Sequence, residues 1–307
     1  MSLVDLTAAL VDTGVQYQPP SFFERRNYPQ RVVAADYIAF DPRLKACADA
    51  RVGYAVQPGT TTIQCYGSSA VLASGADVTG TLVDGSTSRF ARVADPDNAA
   101  KWCWRFRVHP DDPDTSASKR CEFAYTGAAS FEEMNGRILG VCIRMQDWRA
   151  LDDDQLVFQV HGPTGGAIGN PWLSFLVTAG VFRISLRYDL NESPAPGTQT
   201  ILDLYTQSEW APLQWSRFSV YVLEDWRGEG VVRVMRDGVE IVDYVGPAGF
   251  NDQAVGASYL KNGYYHWVDS GNDWDTSVNT REVWQKGAYI AGEDVSLSEM
   301  DDFLSEL

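Results

Sequence analysis

The chain has 307 residues and a formal net charge of −16, which argues against general nucleic-acid binding, since that needs a basic footprint. Hydrophobic residues make up 45% and aromatics 12%, enough to build a sizeable core and to exclude a disordered chain. No stretch approaches the ~20 apolar residues of a membrane helix, and residues 1–14 lack the basic start and long apolar run of a Sec signal.

Residues 1–35 carry Pro19-Pro20, Pro29 and the Arg25-Arg26 pair with little periodicity after Leu10, and read as an N-terminal arm. From about Val32 onward, short β-like runs alternate with clusters of Gly, Pro, Asp and Ser, which is the spacing of a sandwich. The clearest early strand is 102–108. Trp102, Trp104, Phe106 and Val108 face one way and Cys103, Arg105 and Arg107 the other, the pattern of a half-buried strand. A loop rich in Asp and Pro follows. The next strand, 119–125, sets Arg120, Glu122 and Ala124 on one face.

Residues 140–146 alternate again, and Asp152-Asp153-Asp154 marks a turn. In strand 155–161, Leu156, Phe158 and Val160 point inward while Val157, Gln159 and His161 take the opposite face. Runs 173–178 and 181–188 read as a hairpin around Ala179-Gly180. Strand 215–223 precedes a second hairpin, 231–236 with 239–244, around Asp237-Gly238, a pair that tolerates positive φ. The stretch Tyr259-Leu260-Lys261-Asn262-Gly263-Tyr264-Tyr265-His266 then gathers Tyr259, Lys261, Gly263 and Tyr265 on one wall. A phenol, an ammonium and a bare patch of backbone suit an anionic ligand. Residues 284–291 form the last strand. In 296–307, Leu297, Met300, Leu304 and Leu307 recur at helical spacing among acidic residues. They predict a short amphipathic helix that docks on the sandwich or on a partner.

No run in the middle of the chain has helical period, so the expected fold is all-β, a sandwich of two antiparallel sheets. Its expected division is an arm at 1–35, a β domain at 36–295 and the helix at 296–307. Five cysteines (Cys47, Cys65, Cys103, Cys121 and Cys142) at wide spacing make no zinc pattern and no obvious disulfide framework. Buried free thiols are expected, with a Cys103–Cys121 bridge as the alternative. The acidic groups Asp111-Asp112-Pro113-Asp114, Asp152-Asp153-Asp154, and Asp269 with Asn272, Asp273 and Asp275 offer oxygens of the kind calcium takes. None follows an EF-hand pattern, solvated turns are the plainer reading, and no cofactor is expected. No Walker loop, dinucleotide fingerprint, zinc-protease motif or nucleophile elbow is present.

Three short motifs remain, in this order: Arg120-Cys121-Glu122, Gln159-Val160-His161, and Tyr259-Leu260-Lys261 with Tyr265. Together they resemble the signature segments of the alginate-lyase-like β-jelly-roll polysaccharide lyases. That pattern runs Arg-Ser/Thr-Glu-Leu, Gln-Ile/Val-His and Tyr-Phe-Lys-Ala-Gly-x-Tyr-Asn-Gln. The surroundings are also similar to heparin-lyase-I-like and glucuronan-lyase groups, over roughly residues 100–292. Cys121, Phe123 and Asn262 depart from the pattern, and Tyr264-Tyr265-His266 stands where it has x-Tyr-Asn-Gln.

The resemblance implies a concanavalin-A-like jelly roll that binds an acidic polysaccharide and cleaves it at a uronate by β-elimination. It implies that Arg120, Gln159 and His161 neutralise the uronate carboxylate. It also implies that Tyr265 takes the C5 proton, protonates the departing O4, or does both. Lys261, Tyr259, Glu122, Arg105, Arg107 and His266 complete the expected substrate-binding set. Parity supports the convergence independently of any family, because the named groups of 155–161 and 259–265 fall opposite the core face. The rival expectation is a glycan-binding or structural protein of a phage particle. In that case the arm and the C-terminal helix would meet neighbouring subunits.

Overall fold

A computed structural model describes residues 38–40, 62–66, 90–110, 119–126, 135–149, 151–163, 165–166, 168–252, 254, 256–267, 280–292 and 295–307. In chain order these form β1 (Ile38–Phe40), β2 (Thr62–Tyr66), β3 (Phe90–Asp95), β4 (Asn98–Val108), β5 (Arg120–Thr126), β6 (Arg137–Met145) and β7 (Asp154–His161). Next come β8 (Pro171–Thr178), β9 (Val181–Tyr188), β10 (Thr200–Gln207), β11 (Ser216–Leu223), β12 (Asp225–Arg236) and β13 (Val239–Ala248). Strands β14 (Tyr259–Trp267) and β15 (Arg281–Gly292) and helix α1 (Leu297–Ser305) close the chain.

The strands pair antiparallel into two sheets. One has eight strands, ordered β13-β12-β11-β6-β15-β4-β3, with β1 also on β15. The other has seven, ordered β10-β9-β8-β7-β14-β5-β2. This is the jelly-roll sandwich. Its core lies between the sheets, where period-2 side chains meet. Trp104, Phe106, Leu139, Val141, Ile143 and Val283 of the first sheet face Phe123, Phe158, Val160, Phe175, Ile184 and Leu260 of the second. Each such side chain contributes roughly 1.5–3 kcal/mol relative to leaving it in water. Both expected hairpin turns form. Ala179 and Gly180 have φ of 50° and 76°, and Asp237 and Gly238 have 50° and 82°, the two left-handed residues of a type I′ turn.

Strand β7 departs from strict alternation. Its pairing with β8 shifts between Leu156 and Phe158, so one extra residue, Val157, is inserted. A bulge of this kind places two consecutive side chains on one face. Val157 therefore joins Phe158 and Val160 in the core. Leu156, expected inside, pairs with Tyr265 on the other face. Strands β3 and β10 were not anticipated by periodicity. The outer strand β10 leaves Ile201 and Leu202 exposed, so burial never imposed a clean alternation on it.

Helix α1 starts at a capping box in which Ser296 Oγ accepts from Glu299 N at 3.2 Å and Glu299 Oε2 accepts from Ser296 N at 2.9 Å. Its Met300, Phe303 and Leu304 pack on Ile138, Cys142 and Tyr289, on the outer face of the eight-stranded sheet, and Arg217 Nε holds Asp301 Oδ1 at 3.2 Å. The apolar stripe expected to meet the sandwich or a partner meets the sandwich.

Cys103, Cys121 and Cys142 are buried free thiols. Cys103 and Cys121 belong to different sheets, which removes the proposed bridge. Burial pushes the Cys103 and Cys142 thiols up to about 12. The arm 1–35, Cys47, the side chain of Cys65, and the acidic runs around Asp111 and Asp273 lie outside the described residues. Among the described residues, no helix is long and apolar enough to cross a membrane.

Candidate active site on the seven-stranded sheet

Strand β14 lies between β5 and β7 and sets the register of both. Tyr265 stands opposite Arg120 and Gly263 opposite Glu122. Lys261 stands opposite Gln159, and Tyr259 opposite His161. All seven side-chain-bearing groups turn away from the core because their alternating neighbours Phe123, Phe158, Val160 and Leu260 fill it. Gly263 makes the pairing possible. Its φ is +130°, and a Cβ there would come within 2.9 Å of Glu122 Cα and Phe106 Cδ1 and closer still to the Cys121 carbonyl. Only glycine lets β14 and β5 approach this closely in that conformation.

The side-chain tips converge. The Arg120 guanidinium lies 4.0 Å over the Tyr265 ring. Arg120 Nη1 is 3.8 Å from Glu122 Oε2, and Gln159 Nε2 donates to Glu122 Oε1. His161 stacks on Tyr259 at 5.2 Å, and Lys261 Nζ is 5.6 Å from the Tyr259 ring. Arg120, Glu122, Gln159, Tyr259 and Lys261 are buried, whereas His161 and Tyr265 are half-buried. The two groups best able to move a proton are thus the ones that reach the solvent side.

Burial dominates the electrostatics. It raises the Glu122 carboxyl, against the pull of Lys261 and Arg120. It lowers Lys261 to about 8, with Glu122 opposing and Arg120 assisting. It lowers His161 to about 3, and the charge of Lys261 adds to that. The imidazole is therefore neutral at neutral pH. Its Nδ1 lies 2.9 Å from the Gly162 carbonyl, which can only accept, so Nδ1 carries the proton and Nε2 a lone pair. Arg120 and Lys261 thus bring two basic groups to one carboxyl, Glu122.

That balance depends on pH. Lys261 is charged below about 8 and neutral above, so affinity for an anionic chain should fall as pH rises through that value. In Lys261→Met, affinity should be lower throughout and this alkaline limb in kcat/KM should disappear. An unchanged limb would assign it to another group.

Three expected substrate-binding residues do not reach this face. Arg105 and Arg107 sit on β4 in the other sheet, on its outer side. Their guanidinium nitrogens lie 3.8 and 2.5 Å from Glu282 Oε1. The same alternation that buries Trp104 and Phe106 points them away from the cluster. His266 has the opposite parity to Tyr265 and is sealed between the sheets, with Nε2 against Asp153 Oδ2. There Arg281 Nη1 donates to Asp153 Oδ2 at 3.0 Å, to Gln155 Oε1 at 2.8 Å and to Tyr264 Oη at 3.1 Å. Burial alone would raise the Asp153 carboxyl, but His266 and Arg281 outweigh it and hold it below its ordinary range. The acidic turn is thus committed to protein partners rather than solvated: Asp154 accepts from Arg183 Nη2 at 3.0 Å, and Asp152 alone stays exposed.

Trp267 and Arg187 share the outer face and are absent from the sequence-based set. The signal was parity. Trp267 stands two residues beyond Tyr265, and Arg187 alternates with the core residues Ile184 and Leu186. Trp267 packs 5.7 Å from the Tyr265 ring.

The fold is the jelly-roll sandwich shared with solved polysaccharide lyases. The polysaccharide lyase family model matches residues 62–287, and the chain belongs to that family. The solved endo-β-1,4-glucuronan lyase from the fungus Trichoderma reesei is similar at a TM-score of 0.51 and 15% identity, covering 66% of this chain and 86% of that one. An alginate lyase from Pseudomonas aeruginosa gives a TM-score of 0.45 and 16% identity over 68% of this chain and 88% of its own. At these identities the likeness is one of fold. No curated protein sequence matches the chain.

Proposed function

We propose that this polysaccharide lyase cleaves a uronate-containing chain by β-elimination at the Arg120–Tyr265 cluster. The observation that carries the reading is the gathering of basic groups. Arg120 and Lys261 converge with a single carboxylate, Glu122, on one face beside Tyr265 and a neutral His161. A uronate carboxylate suits such a cluster.

The C5 proton of a uronate lies α to its carboxylate and is barely acidic while the carboxylate keeps its full charge. Arg120, Lys261 and the Gln159 amide stabilise the charge that builds as the proton leaves. Preorganised donors of this kind usually supply the largest catalytic term. A base removes the C5 proton, the electron pair forms the C4–C5 double bond, and the C4–O4 bond breaks. An acid then gives a proton to O4. This reading gives the base to Tyr265 or to the Nε2 lone pair of His161, and the acid to the Tyr265 hydroxyl. Glu122 is a positioning group that fixes Gln159 and Arg120.

Glucuronan is the first substrate to try, since the fungal fold neighbour is a glucuronan lyase; alginate and heparin-like chains follow. The expected result is growth of the ultraviolet absorbance of an unsaturated uronate on at least one of them. Binding on a glycan array without product would select the non-catalytic glycan-binding or phage-structural reading instead. Neither binding nor product across the panel would overturn the uronate assignment.

A further inference from the structure

The ring ladder that begins at the proposed reaction centre does not end there. Arg120 lies 4.0 Å over Tyr265, Tyr265 packs 5.7 Å from Trp267, and the Arg187 guanidinium lies 4.9 Å over the Trp267 ring. Arg187 comes from β9, two strands beyond the β7 that carries Gln159 and His161. Its Nη1 donates to Ser174 Oγ at 3.2 Å and to the Pro171 carbonyl at 3.3 Å. Ser174 is itself the register partner of Gln159 and is fully buried. A second oriented guanidinium is therefore built onto the same face, joined to the first cluster by the Gln159–Ser174 pair below and by Tyr265 and Trp267 alongside.

The spacing decides what it can read. Arg187 on β9 is four strand separations from Arg120 on β5, roughly 19 Å between backbones, and both side chains lean in on the Tyr265–Trp267 pair, so the second guanidinium meets a sugar chain beyond the unit held at Arg120. Resting one face of the guanidinium on an aromatic ring while anchoring one nitrogen fixes the plane of its fork. That plane is what bidentate carboxylate recognition requires and a lysine cannot supply.

We propose that Arg187, oriented by Ser174, Pro171 and Trp267, binds the carboxylate of a second uronate unit, with Trp267 as its sugar-stacking wall, so that the site selects polyuronate chains over those with a single uronate. This rests on the uronate reading of the Arg120–Tyr265 cluster. Arg187 and Trp267 are specificity determinants, and neither touches the bond that breaks.

The test uses uronate oligosaccharides of increasing length and the full-length chain. Binding is measured by calorimetry on the inactive Tyr265→Phe background and turnover on the active one. In the parent protein, affinity should rise by a step at one chain length. In Arg187→Gln that step should vanish, KM for the polymer should rise on the order of tenfold to a hundredfold, and kcat should stay within about threefold by the same logic of ground-state binding. A polymer whose carboxylates have been reduced to alcohols should bind the parent and Arg187→Gln equally. Should Arg187→Gln fail to fold, Trp267→Leu removes the wall while leaving the Ser174 anchor, and it carries the same expectation. Activity with an unchanged length step in the folded variant overturns the Arg187 site alone. Failure of the parent to bind any uronate chain overturns the uronate reading itself.

Discussion

Replacing Tyr265 with phenylalanine should lower turnover of the uronate chain by about 10³-fold or more, while binding stays within a few-fold. The magnitude is that of losing a general acid or base, and it is at the upper end if one hydroxyl serves both steps. Binding should survive because the ring remains. It is the ring, not the hydroxyl, that carries the 4.0 Å contact with Arg120 and the 5.7 Å packing on Trp267. His161→Gln separates the two proton-transfer assignments. If the neutral imidazole is the base, this variant should fall as steeply as Tyr265→Phe. If Tyr265 does both steps, it should fall far less. Because His161 is held near 3 by burial and Lys261, its protonation should not shape the rate profile between pH 5 and 8. Turnover of Tyr265→Phe within tenfold of the parent would remove Tyr265 from the chemistry.

Arg281→Met should be the most damaging single change to stability, at about 3–5 kcal/mol, the range for stripping one partner from a buried ion pair. Arg281 is fully buried and donates to Asp153, Gln155 and Tyr264 at once, tying β15 of one sheet to β7 and β14 of the other. Its loss leaves the Asp153 carboxylate between the sheets without its main counter-charge. The sign with pH follows. In the parent, the Asp153 pKa is depressed, so its stabilisation is present above the ordinary carboxyl value of 3.8 and is lost as pH falls below it. In the variant the carboxyl would rather be protonated, so the stability gap should narrow as pH drops toward that value. Adding Asp153→Asn should recover a good part of the loss at neutral pH. Chemical denaturation of the four proteins at two pH values checks this as a double-mutant cycle. Strict additivity of the two changes would deny the coupling.

Much of the candidate site was legible because strands have a period of two. Given strands at 119–125, 155–161 and 259–267, parity alone placed Arg120, Gln159, His161, Lys261 and Tyr265 opposite the apolar residues. The hairpin turns at Ala179-Gly180 and Asp237-Gly238 were legible from local chemistry, since few pairs tolerate two left-handed residues. Other features were not. Nothing local to Arg105 and Arg107 says which sheet β4 joins, and their alternation is as regular as that of β5. The Val157 bulge depends on how β8 pairs with β7, a choice made by partners some twenty residues away. His266 looked like a continuation of the Tyr265 motif, yet its partner is Asp153, just before β7, which Arg281 of β15 also holds.

The order of elements, the two-faced character of the strands and the turn chemistry were therefore properties of the sequence itself, because each depends on side chains a few residues apart. The tertiary structure alone decided that β14 runs between β5 and β7 and that Arg187 and Trp267 extend the same face. Those are consequences of strand order, and strand order is chosen by which apolar faces can be buried together across the whole chain.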